Sequence, residues 1–335
     1  MEITNAHGAG GKIMEDFIKK FILGSFGNSS LGSVNLEDLD DGASITLENY
    51  EVVITSDSHT IKPLFFPGGD IGKLAACGTI NDLAVMGAKP LALSCNLVIE
   101  EGFSSNKLGK ILDSMNRVVR QNNACVICGD TKVIEKGRVD KLIVATTGIG
   151  IAPKNKVLGD SCVKPGDKII VSGTVGDHGI ALLSYREGFT TGLISDVESV
   201  LPVISKAVEV GGVHAAKDPT RGGLANALNE WAEKAGVGIV IEEDRIPIRE
   251  EVKALSALLG IDALTVACEG RAILSVSQEK AKDVLSEIRK LPQGKDAEII
   301  GEATEENLKR VIMKTEIGGK RILERPLADP IPRIC

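Results

Sequence analysis

The sequence predicts a two-domain α/β (α+β) protein that ends in a flexible, extended tail. Strand-like and helix-like segments alternate along its 335 residues, which indicates mixed α and β structure. A polar stretch broken by prolines at residues 151–167 divides the chain into halves that are each long enough for a domain. We therefore expect an N-terminal domain at residues 1–155, a C-terminal domain at residues 156–319 and a tail at residues 320–335.

Short apolar runs bounded by turn residues predict the strands, and apolar residues at helical spacing predict the helices. The predicted strands cover residues 52–55, 91–98, 124–128, 142–151, 168–174, 238–242, 272–276, 298–300 and 311–314. The predicted helices cover residues 12–21, 70–86, 107–121, 179–187, 224–235 and 279–290. Leu224, Leu228 and Trp231 share one face of their helix, so we expect that face to be buried.

The tail contains Pro326, Pro330 and Pro332, and the chain stops at Cys335. Proline disfavours a helix and favours an extended polyproline-like arm. At about 3.1 Å per residue, ten such residues reach roughly 30 Å. A thiol on such an arm suits a chemical group that must visit more than one place. The alternative is a frayed terminus that happens to end in cysteine.

The composition favours a soluble cytoplasmic enzyme. Apolar residues make up 43% and charged residues 25% of the chain, and the net charge of -7 argues against nucleic acid as a partner. No apolar run is long enough to span a membrane, and the first residues lack the basic start and apolar core of a signal peptide. Seven scattered cysteines, an odd number, do not form a disulfide framework.

Cys125 and Cys128 form a CxxC pair, a spacing that redox-active and metal-binding sites also use. The pair lies in an apolar run that predicts a buried strand, and residues i and i+3 of a strand point to opposite faces. A single CxxC is also a weak zinc signal. We therefore expect both cysteines to be structural.

Four glycine-rich turns precede or open predicted helices, at residues 7–12, 67–73, 173–179 and 218–223. Glycine lets backbone N–H groups face an anion, and a helix N-terminus adds partial positive charge. None of the four contains the Gly-Lys-Ser/Thr sequence of a P-loop. One such turn would be an ordinary connector, but four together indicate phosphate binding.

Several aspartates lie in or beside turn-like segments: Asp40, Asp41, Asp57, Asp82, Asp130 and Asp218. Magnesium takes one or two carboxylates and then phosphate oxygens of a bound nucleotide. Aspartates are also common in turns and caps, so a single one carries little weight. Together with the glycine turns, the set favours a metal–nucleotide site.

Glu269 and Lys132 are the candidate acid–base groups. Glu269 follows an apolar stretch and precedes a glycine, and a partly buried carboxylate there would have a raised pKa and could act as a base. The alternative for Glu269 is an ion pair with Arg271 or another basic group. His59 and His178 adjoin loops, where a catalytic role and a hydrogen-bonded structural role are both open.

Segments along essentially the whole chain resemble the HypE family of hydrogenase-maturation proteins. The matching segments are residues 57–63, 66–73, 78–88, 129–133, 176–179 and 218–223 and the closing Pro332-Arg333-Ile334-Cys335. This family belongs to the superfamily of aminoimidazole ribonucleotide synthetase, selenophosphate synthetase and thiamine-monophosphate kinase. The resemblance implies the two-domain PurM-like (AIR synthetase-like) fold, a homodimer formed through the N-terminal sheets, and ATP bound by the N-terminal domain.

The resemblance also implies an activity. Cys335 would receive a carbamoyl group from a HypF-like carbamoyltransferase, and ATP-dependent dehydration would convert the S-carboxamide to an S-cyanate. The cyano group would then pass to iron on a HypC–HypD complex, for the active site of a nickel–iron hydrogenase.

Site residues follow from the matching positions. The resemblance implies Cys335 as the carrier, Glu269 or Lys132 as the base, and Mg²⁺ beside ATP. The implied metal ligands are Asp40, Asp41, Asp82 and Asp218. The implied nucleotide-binding residues are Lys12, Asp57, His59, Lys62, Gly68, Gly69, Asp70, Asp130 and Arg221.

Three other interpretations remain. A selenophosphate synthetase would carry a reactive cysteine near the first glycine turn, but residues 7–12 contain none. A non-catalytic carrier would present Cys335 while a partner does the chemistry, and the aspartates, Lys132 and Glu269 disfavour it. Redox switching through Cys125 and Cys128 is the third.

Overall fold

The first half of the chain is built on a five-stranded sheet, in a computed structural model that describes residues 2–26 and 30–335. The strand order is β1-β2-β7-β5-β6, and every pair is antiparallel except β5 with β6. The strands are β1 (Ala43–Leu47), β2 (Tyr50–His59), β5 (Lys89–Glu100), β6 (Cys125–Ile134) and β7 (Leu142–Pro153), with a separate ribbon of β3 (Phe65–Phe66) and β4 (Gly69–Asp70).

Helices cover one face of this sheet. The helices of this half are α1 (Gly11–Phe17), continued by a π-helical segment (Ile18–Leu23), α2 (Ile71–Val85) and α3 (Ser105–Gln121). Only Lys73 and Asp82 of α2 escape full burial, so the helix lies between the sheet and the rest of the molecule. β7 alternates between buried and less buried residues, as expected for a sheet with one covered face.

The second half is built on a seven-stranded sheet in the order β14-β13-β10-β12-β8-β11-β9. The strands are β8 (Lys168–Val171), β9 (Val213–Lys217), β10 (Gly238–Glu242), β11 (Ile273–Val276), β12 (Glu298–Thr304), β13 (Val311–Lys314) and β14 (Lys320–Ile322). The helices are α4 (Asp177–Arg186), α5 (Leu201–Val210), α6 (Gly223–Ala235), α7 (Glu250–Leu259) and α8 (Ala281–Ile288).

Both faces of the central strands in this sheet are covered. Ile169 and Val171 of β8 pack in the core beneath α6, while Ile170 packs with α5 and α8 on the opposite side. The predicted apolar face of α6 is buried, with Trp231 fully inaccessible. Buried residues of both halves, Ile61 and Val266 among them, share one further core, so the two halves are joined by apolar packing.

The predicted mixed α/β two-domain class is confirmed, whereas the domain boundaries as folding units stay a prediction. All predicted strands and helices are present, with ends displaced by a few residues. The short strands β1 and β9 and the helices α5 and α7 had not been predicted. β14 pairs with β13, so residues 320–322, expected in the tail, belong to the second sheet.

The expectation that Cys125 and Cys128 lie in a buried strand is wrong. β6 is an edge strand, and both cysteines are exposed. A bulge at Ile127 places Cys125 opposite Ala92 and Cys128 opposite Ser94. Since Ala92 and Ser94 are two residues apart on β5, the two cysteines lie on the same face of the sheet, not on opposite faces.

No helix within residues 2–26 and 30–335 combines the length and apolar character needed to cross a membrane.

Candidate active site

The C-terminal tail is docked between the two halves of the molecule. The backbone N–H of Thr60 donates to the Cys335 carbonyl (3.1 Å), and the N–H of Lys62 donates to the Arg333 carbonyl (3.3 Å). Ile331 and Ile334 are 1% and 2% exposed and pack into the core shared by the two halves. The tail is not the extended arm that its prolines predicted. It bends at residues 327–328 and 330–331 and turns at Pro332 and Arg333, where Arg333 has φ +53°. Cys335 at its end is half-buried and packs against the core shared by the two halves.

Two side chains from α4 bind the tail backbone. The Arg186 guanidinium donates to the carbonyls of Lys62 (2.5 Å), Pro332 (2.8 Å) and Arg333 (2.6 Å). His178 is buried, with Nε2 3.0 Å from the Ile334 carbonyl and Nδ1 2.7 Å from Ser195 Oγ. His178 therefore has the hydrogen-bonded structural role that the sequence left open.

Two of the glycine-rich turns also contact the tail. Lys12 N–H donates to the Pro326 carbonyl (3.2 Å), and Gly222 N–H, at the start of α6, donates to Asp329 Oδ2 (3.0 Å). Gly11 has φ +68°, and a Cβ there would lie 2.4 Å from the Pro326 oxygen, so only glycine fits. In this docked state the tail occupies N–H groups that the sequence predicted for phosphate.

Cys335 lies beside charged groups from both halves. Burial raises the pKa of the Cys335 thiol to about 12, with Arg221 opposing the shift and Glu269, Asp329 and Asp57 adding to it. Cys335 is likewise the largest cause of the raised pKa of Arg221. The docked thiol is therefore protonated at neutral pH, and a docked tail is a poor nucleophile.

Glu269 is the buried carboxyl beside Cys335. It is 3% exposed, and its Oε1 has no hydrogen-bond partner. Burial raises its pKa well above the ordinary value, with Asp218 and Asp196 adding to the shift and Arg221 opposing it. Asn81 Nδ2 donates to the Glu269 carbonyl (3.3 Å), which fixes the backbone of this residue against α2.

The alternative of an ion pair between Glu269 and Arg271 is not what the structure shows. Arg271 Nη1 lies 3.1 Å from Glu198 Oε1, and its Nε lies 3.6 Å from Asp196 Oδ2.

Four aspartates from separate elements interact at the base of the site. They are Asp57 of β2, Asp82 of α2, Asp218 after β9 and Asp41 before β1. Burial raises the pKa of Asp82, and Asp57, Asp218 and Asp41 raise it further. Burial likewise raises the pKa of Asp218, with Asp41 and Asp57 adding to the shift. Thr55 Oγ1 donates to Asp82 Oδ2 (2.6 Å), whereas Asp218 Oδ2 is buried without a partner. Like charges gathered in a buried site favour a cation.

The donor set fits magnesium. In the part of the chain that the structure describes, no three His, Cys, Asp or Glu side chains are arranged to hold a metal ion. Magnesium does not require such a group, because it binds through one or two carboxylates and completes its shell with phosphate oxygens and water. The unpartnered Asp218 Oδ2 is an oxygen that such an ion would bind.

His59 completes this side of the site. Its side chain is 5% exposed, and its Nδ1 has no partner. Burial, together with Arg221, lowers the pKa of His59 despite the nearby Asp57. Gly78 of α2 makes room for the ring, since a Cβ there would lie 3.1 Å from His59 Nε2.

Other predicted site residues are engaged elsewhere in this structure. Asp40 Oδ1 pairs with Lys234 Nζ at 2.6 Å. Lys132 and Asp130 pair with each other at 2.9 Å on the exposed strand β6, and Lys62 Nζ lies 3.7 Å from Asp140 Oδ2. Their predicted roles in metal binding, catalysis and phosphate binding stay predictions.

The turn before α2 contacts the tail indirectly, through Ser195 and His178. Asp70 caps α2 by accepting from the N–H groups of Gly72 (2.8 Å) and Lys73 (3.1 Å). Gly68 has φ +97° and packs on Ser195, the residue that hydrogen-bonds to His178. Gly68 and Gly69 also line a cavity of about 390 Å³ with Lys73 and Arg117, so nucleotide binding at this turn stays a prediction.

Three residues that contact the docked tail or the carboxylate cluster were not predicted from the sequence: Lys217, Arg186 and Asp329. Asn81 was noted only as part of a motif. Lys217 directly precedes Asp218, and this adjacency was the available signal. Nothing in the pattern around Arg186 distinguishes it from an ordinary surface arginine near a helix end.

Comparison with known families matches both halves of the chain. A family model described as the AIR synthase related protein, N-terminal domain, matches residues 39–152, and its C-terminal counterpart matches residues 164–314. The chain is 51% identical to a putative hydrogenase expression/formation protein of Methanocaldococcus jannaschii, over the full length of both. It is 40% identical to the carbamoyl dehydratase HypE of Escherichia coli, over 99% of each chain.

Solved structures are similar over the same length. A HypE–HypF complex contains a chain that is 41% identical, with a TM-score of 0.86 over 95% of this chain and all of that one. A hydrogenase maturation protein HypE in complex with ATP is 37% identical, with a TM-score of 0.82 over the whole of both chains.

Proposed function

The chain belongs to the HypE family of hydrogenase-maturation proteins, and on that premise we propose that it is an ATP-dependent carbamoyl dehydratase that carries its substrate on Cys335. The observation that supports this proposal most strongly is the position of the tail. It brings the Cys335 thiol beside Glu269 and Arg221, next to the carboxylate cluster of Asp41, Asp57, Asp82 and Asp218. A carrier group and a candidate base thus share one buried site.

The reaction begins with the tail released. A HypF-like carbamoyltransferase loads a carbamoyl group on Cys335 Sγ, which requires the thiolate that the docked state suppresses. The tail then returns and brings the S-carboxamide to the site. On release the bent tail can straighten into the extended arm that its prolines favour, and a HypC–HypD complex is the proposed acceptor of the product.

Dehydration follows in the docked state. The amide oxygen takes the γ-phosphoryl group of ATP, so that phosphate rather than oxide becomes the leaving group. The amide nitrogen loses two protons, one to the base and one to the departing phosphate, as the C–O bond breaks and the C≡N bond forms. The products are S-cyanate, ADP and hydrogen phosphate. Magnesium, held by one or two of the carboxylates of Asp41, Asp82 and Asp218, would offset the phosphate charge.

Glu269 is the proposed base. Its unpartnered Oε1 can accept a proton when Glu269 is ionised, and the raised pKa makes the ionised form a stronger base than an ordinary carboxylate. Arg221 favours the ionised form of Glu269. Lys132 is the less supported alternative, because its ammonium group is exposed and paired with Asp130.

The homodimer and the cytoplasmic location are part of the same proposal. β6 leaves apolar side chains exposed at a sheet edge, with Val126 45%, Ile127 61% and Val133 65% exposed. A second copy of the chain would cover them, as the family resemblance implies. The requirement for ATP and for cytoplasmic maturation partners supports the location.

The test is the mass of the tail peptide that contains Cys335, after incubation with a carbamoyl-donating partner and then with ATP and magnesium. We expect a carbamoyl gain followed by the loss of one water. In Glu269→Gln, loading should persist while water loss slows by about a hundredfold or more, the usual size of an acid–base contribution. The exposed Glu305→Gln is the matched control and should behave as the wild type.

Each contrary result has a defined meaning. Water loss at the wild-type rate in Glu269→Gln would exclude Glu269 as the base. Loading without water loss in the wild-type protein would favour a carrier whose partner does the chemistry. No mass change at Cys335 would overturn the proposal.

A further inference from the structure

A buried lysine links the proposed metal site to the interior of the second domain. Lys217, the last residue of β9, is 6% exposed. Its Nζ lies 2.7 Å from Asp41 Oδ1, 3.2 Å from Asp160 Oδ2 and 3.3 Å from Glu230 Oε2. One ammonium group is therefore shared by three carboxylates. Of these, only Asp41 belongs to the proposed metal site.

Asp160 is the centre of the inner part of this cluster. It accepts from Lys217, from Lys234 Nζ (2.7 Å) and from Trp231 Nε1 (2.7 Å). Burial favours the neutral acid, but Lys217 and Lys234 lower the pKa of Asp160 to about 2. This carboxylate stays charged whatever happens at the metal site.

Asp41 is held less firmly than Asp160. Its one hydrogen bond among the described residues comes from Lys217, whereas Asp160 has three side-chain donors. Asp41 also interacts electrostatically with Asp82 and Asp218, the other proposed ligands. A divalent cation at these carboxylates would compete with the Lys217 ammonium for Asp41 and repel it.

We propose that Lys217 is the counter-ion of Asp41 before magnesium binds, and that it shifts to Asp160 and Glu230 when magnesium takes Asp41. This inference rests on the proposed function, because it needs a metal–nucleotide complex at Asp41. Asp160 and Glu230 can pair with the Lys217 ammonium when it leaves Asp41. Magnesium can therefore replace Lys217 at Asp41 without leaving a buried charge unpaired.

The protein contains a built-in reporter of this exchange. Trp231 is the only tryptophan in the chain, is fully buried, and donates to Asp160 Oδ1. Movement of Lys217 toward Asp160 changes the charge next to the indole. Tryptophan emission should therefore change when magnesium and nucleotide bind, although Asp160 is not a proposed ligand of either.

The experiment follows binding of magnesium and the β,γ-methylene analogue of ATP by calorimetry and by Trp231 emission in parallel. In the wild type, both signals should give the same dissociation constant. Lys217→Gln removes the competing charge, so magnesium affinity should rise about tenfold or more and the emission change should disappear. Lys217→Arg keeps the charge and can pair in a bidentate fashion, so magnesium affinity should fall severalfold.

Opposite shifts in the two variants separate a counter-ion from a merely structural lysine, whose replacement would weaken binding in both. Lys282→Gln, on an exposed face of α8, is the control and should leave both signals unchanged. If Lys217→Gln does not fold, Lys217→Met, which also lacks the charge, takes its place with the same expected rise in magnesium affinity.

Results that contradict the proposed function differ from those that contradict only the role of Lys217. No binding heat in the wild type would overturn the proposed function, and this inference with it. Binding with silent emission, or weaker magnesium binding in both variants, would overturn the inference and leave the proposed function standing.

Discussion

Arg186 binds the tail through backbone carbonyl oxygens. These hydrogen bonds therefore do not depend on the side chains of the tail. Its guanidinium is shared by the carbonyls of Lys62, Pro332 and Arg333, one of them in the first half and two in the tail. Hydrogen bonds that involve a charged group contribute about 1.5–3 kcal/mol each. A single side chain can therefore set how often Cys335 leaves the site.

We predict that Arg186→Gln releases the tail. The docked Cys335 thiol has its pKa raised to about 12 by burial, so its alkylation by iodoacetamide at neutral pH requires release. The variant should be alkylated about tenfold faster or more, because loss of a charge-assisted contact shifts the docking equilibrium by that factor. Dehydration of the loaded protein should slow only to the extent that the docked fraction falls, and loading by the partner should not slow.

The exposed Arg310→Gln is the control for this prediction, since the Arg310 side chain makes no hydrogen bond or ion pair with the other described residues. An unchanged alkylation rate in Arg186→Gln would show that Ile331 and Ile334 alone keep the tail in place.

The environment of a single residue was predicted best where it depends on neighbouring residues in the sequence. Glu269 was expected to be at least partly buried because of the apolar stretch before it, with an ion pair as the alternative. It is buried, and its Oε1 has no hydrogen-bond partner. Asp41 was preferred over Asp40 as a metal ligand only through superfamily motif positions, because two adjacent aspartates have nearly the same sequence neighbours. Their different partners, Lys234 for one and Lys217 for the other, come from α6 and β9, far along the chain.

The tail is the element whose position most depends on the rest of the molecule. Its prolines predicted an extended form, but its resting place depends on Ile331 and Ile334 entering the core between the two halves. Fully burying each of these side chains contributes about 1.5–3 kcal/mol. Local sequence contains no information on whether a matching apolar site exists.

Asp329 should make docking depend on pH. Burial raises its pKa to about 6 in the docked state, above the ordinary value of 3.8, although the Gly222 N–H opposes the shift. Docking is therefore coupled to the uptake of a proton by Asp329. The equilibrium constant for docking is highest below about pH 4, falls as the pH rises toward 6, and is constant above that pH. The difference of about two pKa units corresponds to a factor on the order of 100 in docking.

The measurement is the rate at which methyl methanethiosulfonate modifies Cys335, divided by the rate for a free Arg-Ile-Cys peptide at the same pH. We expect this ratio to rise between about pH 4 and pH 6 and to stay level up to pH 8. Asp329→Asn should flatten the rise. A rise that persists in Asp329→Asn would assign the dependence to another group.

Other elements were predicted or missed for physical reasons that differ. α2 was predicted from its apolar residues and the glycine-rich turn before it, whereas the cap that Asp70 provides was not foreseen. α5 was missed because its few residues include Pro202, which a helix accepts only in its first turn. The bulge at Ile127 was invisible because one inserted residue leaves an apolar run looking like a regular strand.

At the scale of the molecule, the site exists only because two sheets meet. Asp57 and Asp82 come from the first half, Asp218 and Glu269 from the second, and Cys335 from the tail. The sequence predicted these residues as a set through motif resemblance, whereas their convergence depends on packing between the halves. The same holds for the Lys217 cluster, which joins the loop before β1 to α6.

The last prediction concerns the exposed edge of the first sheet. Ile127 lies at the bulge of β6 and is 61% exposed, next to the unpaired edge of the strand. In a homodimer formed through the N-terminal sheets it would be buried, and a lysine there would place a charge in an apolar interface. We expect Ile127→Lys to raise the dimer dissociation constant about a hundredfold or more, as for a charge buried without a partner. Sedimentation equilibrium would measure this, with Ile317→Lys as the control, because Ile317 is 96% exposed in the distant turn between β13 and β14. A wild-type protein that is monomeric, or an Ile127→Lys protein that dimerises as tightly as the wild type, would show that β6 is not the interface.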